Sequence, residues 1–174
     1  MLKLQKKSGA EVPFIRQKKL STDKVSVNDV LYDAIINSKT QNEPFHACVF
    51  STSILIKRKI IFNAIQKINS SNYDNIIAIK KFENHPLKSL YLKKDKIYLN
   101  WNAKLQNTQE YKDLYHDAGY FYLFKTKNFV KTKKLLNNKT SYIKLLKNES
   151  IDIDTKDDFE IAKYIYKYNL SKNE

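Results

Sequence analysis

At 174 residues the chain is long enough to bury one real core and short enough to be a single domain over residues 1–174. Its formal charge of +14 comes from 32 basic residues against 18 acidic ones, yet only Arg16 and Arg58 are arginine; base reading and bidentate phosphate recognition favour the planar guanidinium fork, so the scattered lysines read as a solvated surface and no nucleic-acid partner is expected. A lone cysteine, Cys48, excludes an internal disulfide, the N-terminus lacks an apolar signal core, and no apolar run reaches the about 20 residues that span a bilayer, so the expected setting is cytoplasmic with no membrane partner.

In chain order, Met1 to Ser8 reads as the end of a helix stopped by Gly9, because glycine enters the left-handed conformation at little cost. EVPFIR (11–16) reads as a short strand. SVNDVLYDAII predicts a helix, with Ser26 and Asp29 at capping-box spacing and Val27, Val30, Leu31, Ala34 and Ile35 on one face. HACVFS (46–51) predicts a buried strand, KRKIIFNAIQKI (57–68) a helix and NIIAIKKF (75–82) another strand. Strands alternating with helices argue for a parallel sheet with helices packed on its faces.

The next stretch breaks that rhythm. SLYLKKDKIYLNW (89–101) alternates about a Lys-Lys-Asp turn and predicts a β-hairpin, an excursion occupying about residues 82–118. YFYLF (120–124) returns as a strand, TKNFVKTKKLL (126–136) as a helix and YIKLL (142–146) as a strand. SIDIDT (150–155) then leads into a helix whose core face is Phe159, Ala162, Ile165 and Tyr166.

Three constellations carry chemistry. In SIDIDT an extended backbone puts Asp152 and Asp154 on one side and Ile151 and Ile153 on the other. Two carboxylates facing one way can share a hard cation such as Mg²⁺, which prefers oxygen ligands and retains waters and substrate phosphates; equally, Asp154 or Thr155 can cap the helix that follows, with Thr155 and Asp158 at capping-box spacing. In YHDAGYFY, His116 and Asp117 precede Gly119 in a polar loop that either faces a ligand at the sheet's edge or is a plain hydrogen-bonded turn. In NHPLKSL, Pro86 stiffens the approach to Lys88.

Taken together and in order, GAEVPFIR, HPLKSL, YHDAGYFY and SIDIDT resemble the acylneuraminate cytidylyltransferase family, enzymes that activate sialic, pseudaminic and related nonulosonic acids as CMP-sugars; the resemblance runs from about Gly9 to about Ala162. It implies an α/β Rossmann-like nucleotidyltransferase three-layer fold with a hairpin insertion, CTP and a nonulosonic acid as substrates, pyrophosphate release, and Mg²⁺ held by Asp152 and Asp154. It also implies that Lys88 and Asp154 act in catalysis, and that Arg16, Ser26, Thr52, Ser53, His116, Asp117 and Gly119 line the substrates. Relatives dimerise through the segment matching Leu90 to Trp101, so a homodimer is expected.

The sequence departs from that family in two respects. The lesser is FSTSILIKR (50–58), where Thr52 and Ser53 remain but Ser51, Ile54 and Ile56 replace the stiffer and more polar residues of a family loop and Arg58 stands displaced along the chain. The family opens with a strand and a glycine-rich loop whose amides and cations cradle the CTP phosphates, whereas this sequence has two glycines only, Gly9 and Gly119. The expectation is therefore an N-terminally truncated version of the fold, inactive without a strand and phosphate loop supplied as a separately encoded N-terminal fragment. The alternative is a non-catalytic remnant that serves as a subunit or binding module.

Overall fold

The computed structural model describes residues 7–101, 111–147 and 149–171. The helix expected over Met1 to Ser8 lies largely outside them, and so does the middle of the expected insertion. Gly9 sits at φ +82, in the left-handed conformation that glycine enters at little cost. EVPFIR forms no strand. Val12 and Phe14 still turn partly inward while their neighbours face solvent, but Pro13 has no N–H to give to a ladder.

Among the described residues four α-helices and six strands follow: α1 (Val27–Asn37), β1 (Phe45–Val49), α2 (Arg58–Asn69), β2 (Asn75–Lys81), β3 (Leu90–Lys93), β4 (Lys96–Leu99), β5 (Tyr115–Lys125), α3 (Thr126–Thr132), β6 (Thr140–Lys144) and α4 (Lys156–Ser171). Strands β1, β5, β2 and β6 lie side by side in that order in one sheet, and β3 and β4 form a separate hairpin. Pairing of Phe45 with Lys125 through Val49 with Phe121 makes β1 and β5 antiparallel. Phe82 N donates to Leu114 O at 3.1 Å and Lys125 N to Asp74 O at 2.9 Å, so β5 also runs against β2. Asp74 N to Lys139 O and Leu145 N to Ile79 O, 2.8 and 2.9 Å, make β2 and β6 parallel.

The sheet is thus mixed rather than parallel throughout, and the protein is an α/β fold of the Rossmann-like class. The reversal sits where the hairpin excursion replaces a helical crossover, which only a parallel connection needs. Burial follows strand order. Tyr120 to Phe124 of β5 and Asn75 to Ala78 of β2 are buried on both faces, the continuous run expected of central strands. HACVFS is an edge strand instead of a buried one: Ala47 and Val49 face solvent.

The chain divides into two compact units. The first holds Met1–Val49, Ile61–Ile77 and Phe121–Ser141. Its core gathers Ile35, Ala64, Ile68, Ile76, Phe121, Phe124 and Phe129, and α1 begins as its sequence requires, with Ser26 Oγ accepting from Asp29 N at 3.2 Å and donating to the Asp29 carboxylate at 2.7 Å. Helix α3 is shorter than expected because Lys133 turns left-handed, φ 52, and its N–H caps onto Phe129 O. The second unit holds Phe50–Ile60, Ala78–Tyr120 and Tyr142–Glu174, with Leu55, Ile60, Ala78, Tyr120, Leu145 and Ala162 buried. Of the expected inward face of α4, Ala162 alone is fully buried; Phe159 and Tyr166 are exposed.

Candidate functional site

The second unit collects the carboxyl ends of β2 and β6 and, because β5 is reversed, the amino end of β5. In open α/β sheets this is the edge where ligands sit. Eight of the ten residues singled out from the sequence fall in this unit: Thr52, Ser53, Lys88, His116, Asp117, Gly119, Asp152 and Asp154. Arg16 and Ser26 belong to the other unit. There Ser26 caps α1, and the Arg16 guanidinium opposes the upward push that burial gives the Cys48 thiol. With its acidity reduced, Cys48 suits the role of a small apolar residue and not that of a nucleophile.

YHDAG is not a loop. It is the first part of β5, and Gly119 interrupts the strand at φ +57, with the Asp117 carboxylate accepting from Gly119 N at 2.9 Å. A left-handed residue inside a strand re-aims the side chains around it. His116 is exposed, and its ring lies 4.7 Å from that of Phe82 at the end of β2. Directly beyond Gly119, the Tyr120 carbonyl accepts from Ser53 Oγ at 2.6 Å. Ser53 is buried and its hydroxyl is engaged by β5, which ties the loop after β1 to this strand and leaves half-buried Thr52 as the more accessible of the two. The Tyr120 hydroxyl is pushed up to about 12 by burial, with the Leu55 backbone opposing and the Glu149 carboxylate adding to the push. It stays protonated at neutral pH.

Lys88 ends a 3₁₀ turn, Pro86–Lys88, that is fixed by His85. The His85 Nδ1 accepts from Leu87 N at 3.3 Å, its ring stacks on Tyr111 at 4.5 Å, and the Lys88 ammonium stands 5.7 Å from the Tyr111 ring centre. Further cations line the same unit. Lys81 pairs with Asp113 and its hydrogen bond holds that carboxyl below the usual range, while Lys144 is raised chiefly by its bond to Tyr115.

The segment carrying Asp152 and Asp154 forms no ladder, yet burial alternates as an extended chain requires: Ile151 and Ile153 turn partly inward, and both carboxylates face out. The capping alternative is resolved in favour of Thr155. Asp158 N donates to Thr155 Oγ1 at 3.2 Å, and the Asp158 carboxylate accepts from Thr155 N, Thr155 Oγ1 and Asp154 N at 2.9, 2.7 and 3.2 Å. Those bonds hold Asp158 below the usual carboxylate range. The cap uses the backbone of Asp154 and leaves its side chain outward. Among the described residues no third His, Cys, Asp or Glu joins the pair to complete a protein cage. A pair of exposed carboxylates suits Mg²⁺, which takes one or two carboxylates and keeps water and phosphate oxygens for the rest.

No family model matches the chain. Individual proteins do. A pseudaminic acid cytidylyltransferase of Campylobacter jejuni is 30% identical over 167 residues, covering 94% of this chain and 72% of that protein. The chain belongs to the acylneuraminate cytidylyltransferase family. A Helicobacter pylori protein named for the same transferase and for a UDP-2,4-diacetamido-2,4,6-trideoxy-beta-L-altropyranose hydrolase is 26% identical over 86% of this chain and 29% of its own length. An N-acylneuraminate cytidylyltransferase of Streptococcus agalactiae is 27% identical over 83% of this chain and 35% of its own length.

Membership gives the two-carboxylate segment its context, but several residues around it had no signal in the sequence. Lys57 pairs with Glu149 at 3.5 Å, and Lys80 Nζ donates to Ser150 O at 3.4 Å. Both contacts join positions at least 70 residues apart. Among 30 lysines nothing local marks these two.

Proposed function

We propose that the chain transfers CMP from CTP to a nonulosonic acid of the pseudaminic or sialic class and releases pyrophosphate. The observation that carries this reading is the outward Asp152 and Asp154 pair in the unit that gathers the sheet's carboxyl edge. The pair is the proposed holder of Mg²⁺, which would neutralise phosphate charge during the transfer. The sugar's anomeric hydroxyl attacks the α-phosphorus, the bond to the leaving pyrophosphate breaks in line, and no protein nucleophile is needed. Lys88 supplies a cation toward the reacting phosphates from a turn that His85 holds in place. Thr52 and the His116 to Gly119 stretch of β5 supply polar groups for the substrates, Ser53 supports the loop from behind, and Arg16 and Ser26 serve the nucleotide.

Catalysis of this kind is positioning plus charge neutralisation, and losing one electrostatic donor costs roughly 10²-fold or more. Because these 174 residues contain no glycine-rich phosphate loop, the proposal includes that they give no CMP-sugar by themselves. Edge strand β1, with Ala47 and Val49 exposed, has a strand on one side only among the described residues, which leaves its other side as the place for a further strand. Incubating the chain with CTP, Mg²⁺ and pseudaminic or sialic acid, alone and with a strand, loop and helix unit supplied from a relative, tests this. Product only with the added unit is expected. Robust pyrophosphate release without it would overturn the loop's role, and a soluble but inactive combination would favour a non-catalytic subunit.

The second reading has its own observation. Hairpin β3–β4 exposes Leu90, Tyr91, Leu92, Ile97, Tyr98 and Leu99, with Trp101 just beyond, more apolar surface than an isolated two-stranded ribbon keeps in water. That supports a homodimer joined through the hairpin, whether or not the chain turns over substrate.

A further inference from the structure

The segment that bears Asp152 and Asp154 has no strand ladder to hold it. Carboxylates that share a cation need their backbone fixed to within a fraction of an ångström, so the question is what fixes this one. At its far end the Thr155 and Asp158 cap does so. Its near end is held by groups from other elements. Glu149 is fixed twice, accepting from Leu146 N at 3.0 Å through one oxygen and pairing with Lys57 at 3.5 Å through the other. The next carbonyl, that of Ser150, accepts from Lys80 Nζ at 3.4 Å. Lys80 is half-buried, one residue beyond Ile79, whose own carbonyl accepts from Leu145 N at 2.9 Å. Ser150 is buried and its hydroxyl finds no partner among the described residues, while its carbonyl takes the ammonium of Lys80 as a polar anchor.

We infer that Lys80 is a positioning residue for the Asp152 and Asp154 pair: from the carboxyl end of β2 it clamps the Ser150 carbonyl two residues ahead of the first carboxylate. This rests on the reading of the pair as the cation's holder. The clamp and simple electrostatics predict opposite signs. A nearby ammonium repels a divalent cation, so by charge alone its removal tightens binding. If the ammonium works by holding the backbone, its removal loosens the segment and weakens binding on the order of ten-fold, the range seen when groups behind metal ligands are lost.

The test compares the full chain with K80M, which keeps an apolar stem, and K80R, which restores a donor. Amide hydrogen exchange over residues 149–154 is measured without metal, and Mn²⁺ is titrated calorimetrically. Faster exchange and about ten-fold weaker Mn²⁺ binding in K80M, with partial recovery of both in K80R and unchanged far-UV circular dichroism, are expected. Unchanged exchange in K80M overturns the clamp, and so does Mn²⁺ binding that is unchanged or tighter. If the wild type and D152N take up Mn²⁺ equally, the carboxylate reading fails instead, and the exchange comparison still decides whether Lys80 holds the segment.

Discussion

His46 sits between two hydroxyls, Thr40 Oγ1 at 2.8 Å from Nε2 and Thr126 Oγ1 at 2.7 Å from Nδ1, and it stacks on Phe124. Burial lowers its pKa from 6.5, and the Glu43 carboxylate only partly offsets this. The sign follows: between the lowered folded value and the unfolded value near 6.5 the unfolded chain binds more protons, so stability rises with pH across that window. The urea midpoint should fall from pH 7.5 to pH 5.5, and in H46Q that slope should flatten; an equally steep slope would exclude the histidine as its source. Ser26 admits a test of equal directness. If it is principally the α1 cap, S26A lowers stability by about 1 kcal/mol in denaturant titration, whereas a purely substrate-facing serine leaves the midpoint unchanged. The cap was legible because Ser26 and Asp29 are three residues apart. His46 and Thr126 are 80 apart, and no local pattern joins them.

Elements whose cause is local came out of the sequence close to their bounds. Helices α1 and α2 have their apolar period, and the hairpin turns at Lys94, where φ is 52. Strand surroundings were harder to read. Residues 46–51 are apolar enough for a core strand, but burial is decided by what lies beside a strand, and β1 is at an edge. YHDAG looked like a loop because its composition is that of a turn; β5 absorbs it by letting Gly119 adopt φ +57. A Cβ added there would meet nothing within 4 Å, so the cost of G119A is the left-handed backbone itself. It should destabilise by about 1–2 kcal/mol, with G119N milder, in thermal or urea unfolding. A G119A midpoint equal to wild type would mean that the strand relaxes into a regular ladder.

At the scale of the whole molecule, membership in the family and the carboxyl-edge grouping agree with the motif order in the sequence. The contacts among Lys57, Lys80, Glu149 and Ser150 do not show there, because they form only when distant strands meet. No helix among the described residues is long and apolar enough to cross a membrane. The charge of +14 rests on lysine, and titration with duplex DNA at physiological salt should show no sub-micromolar binding. Replacing Leu92 and Ile97 on the hairpin by lysine should shift a dimer toward monomer in sedimentation, and an unchanged species would place association elsewhere. The most direct check on the account is a Mn²⁺ titration of wild type, D152N, D154N and T155A. Binding in the wild type and T155A, its loss in both asparagine variants, and a lower unfolding midpoint in T155A alone are the predicted result; undiminished Mn²⁺ binding in D152N and D154N would contradict it.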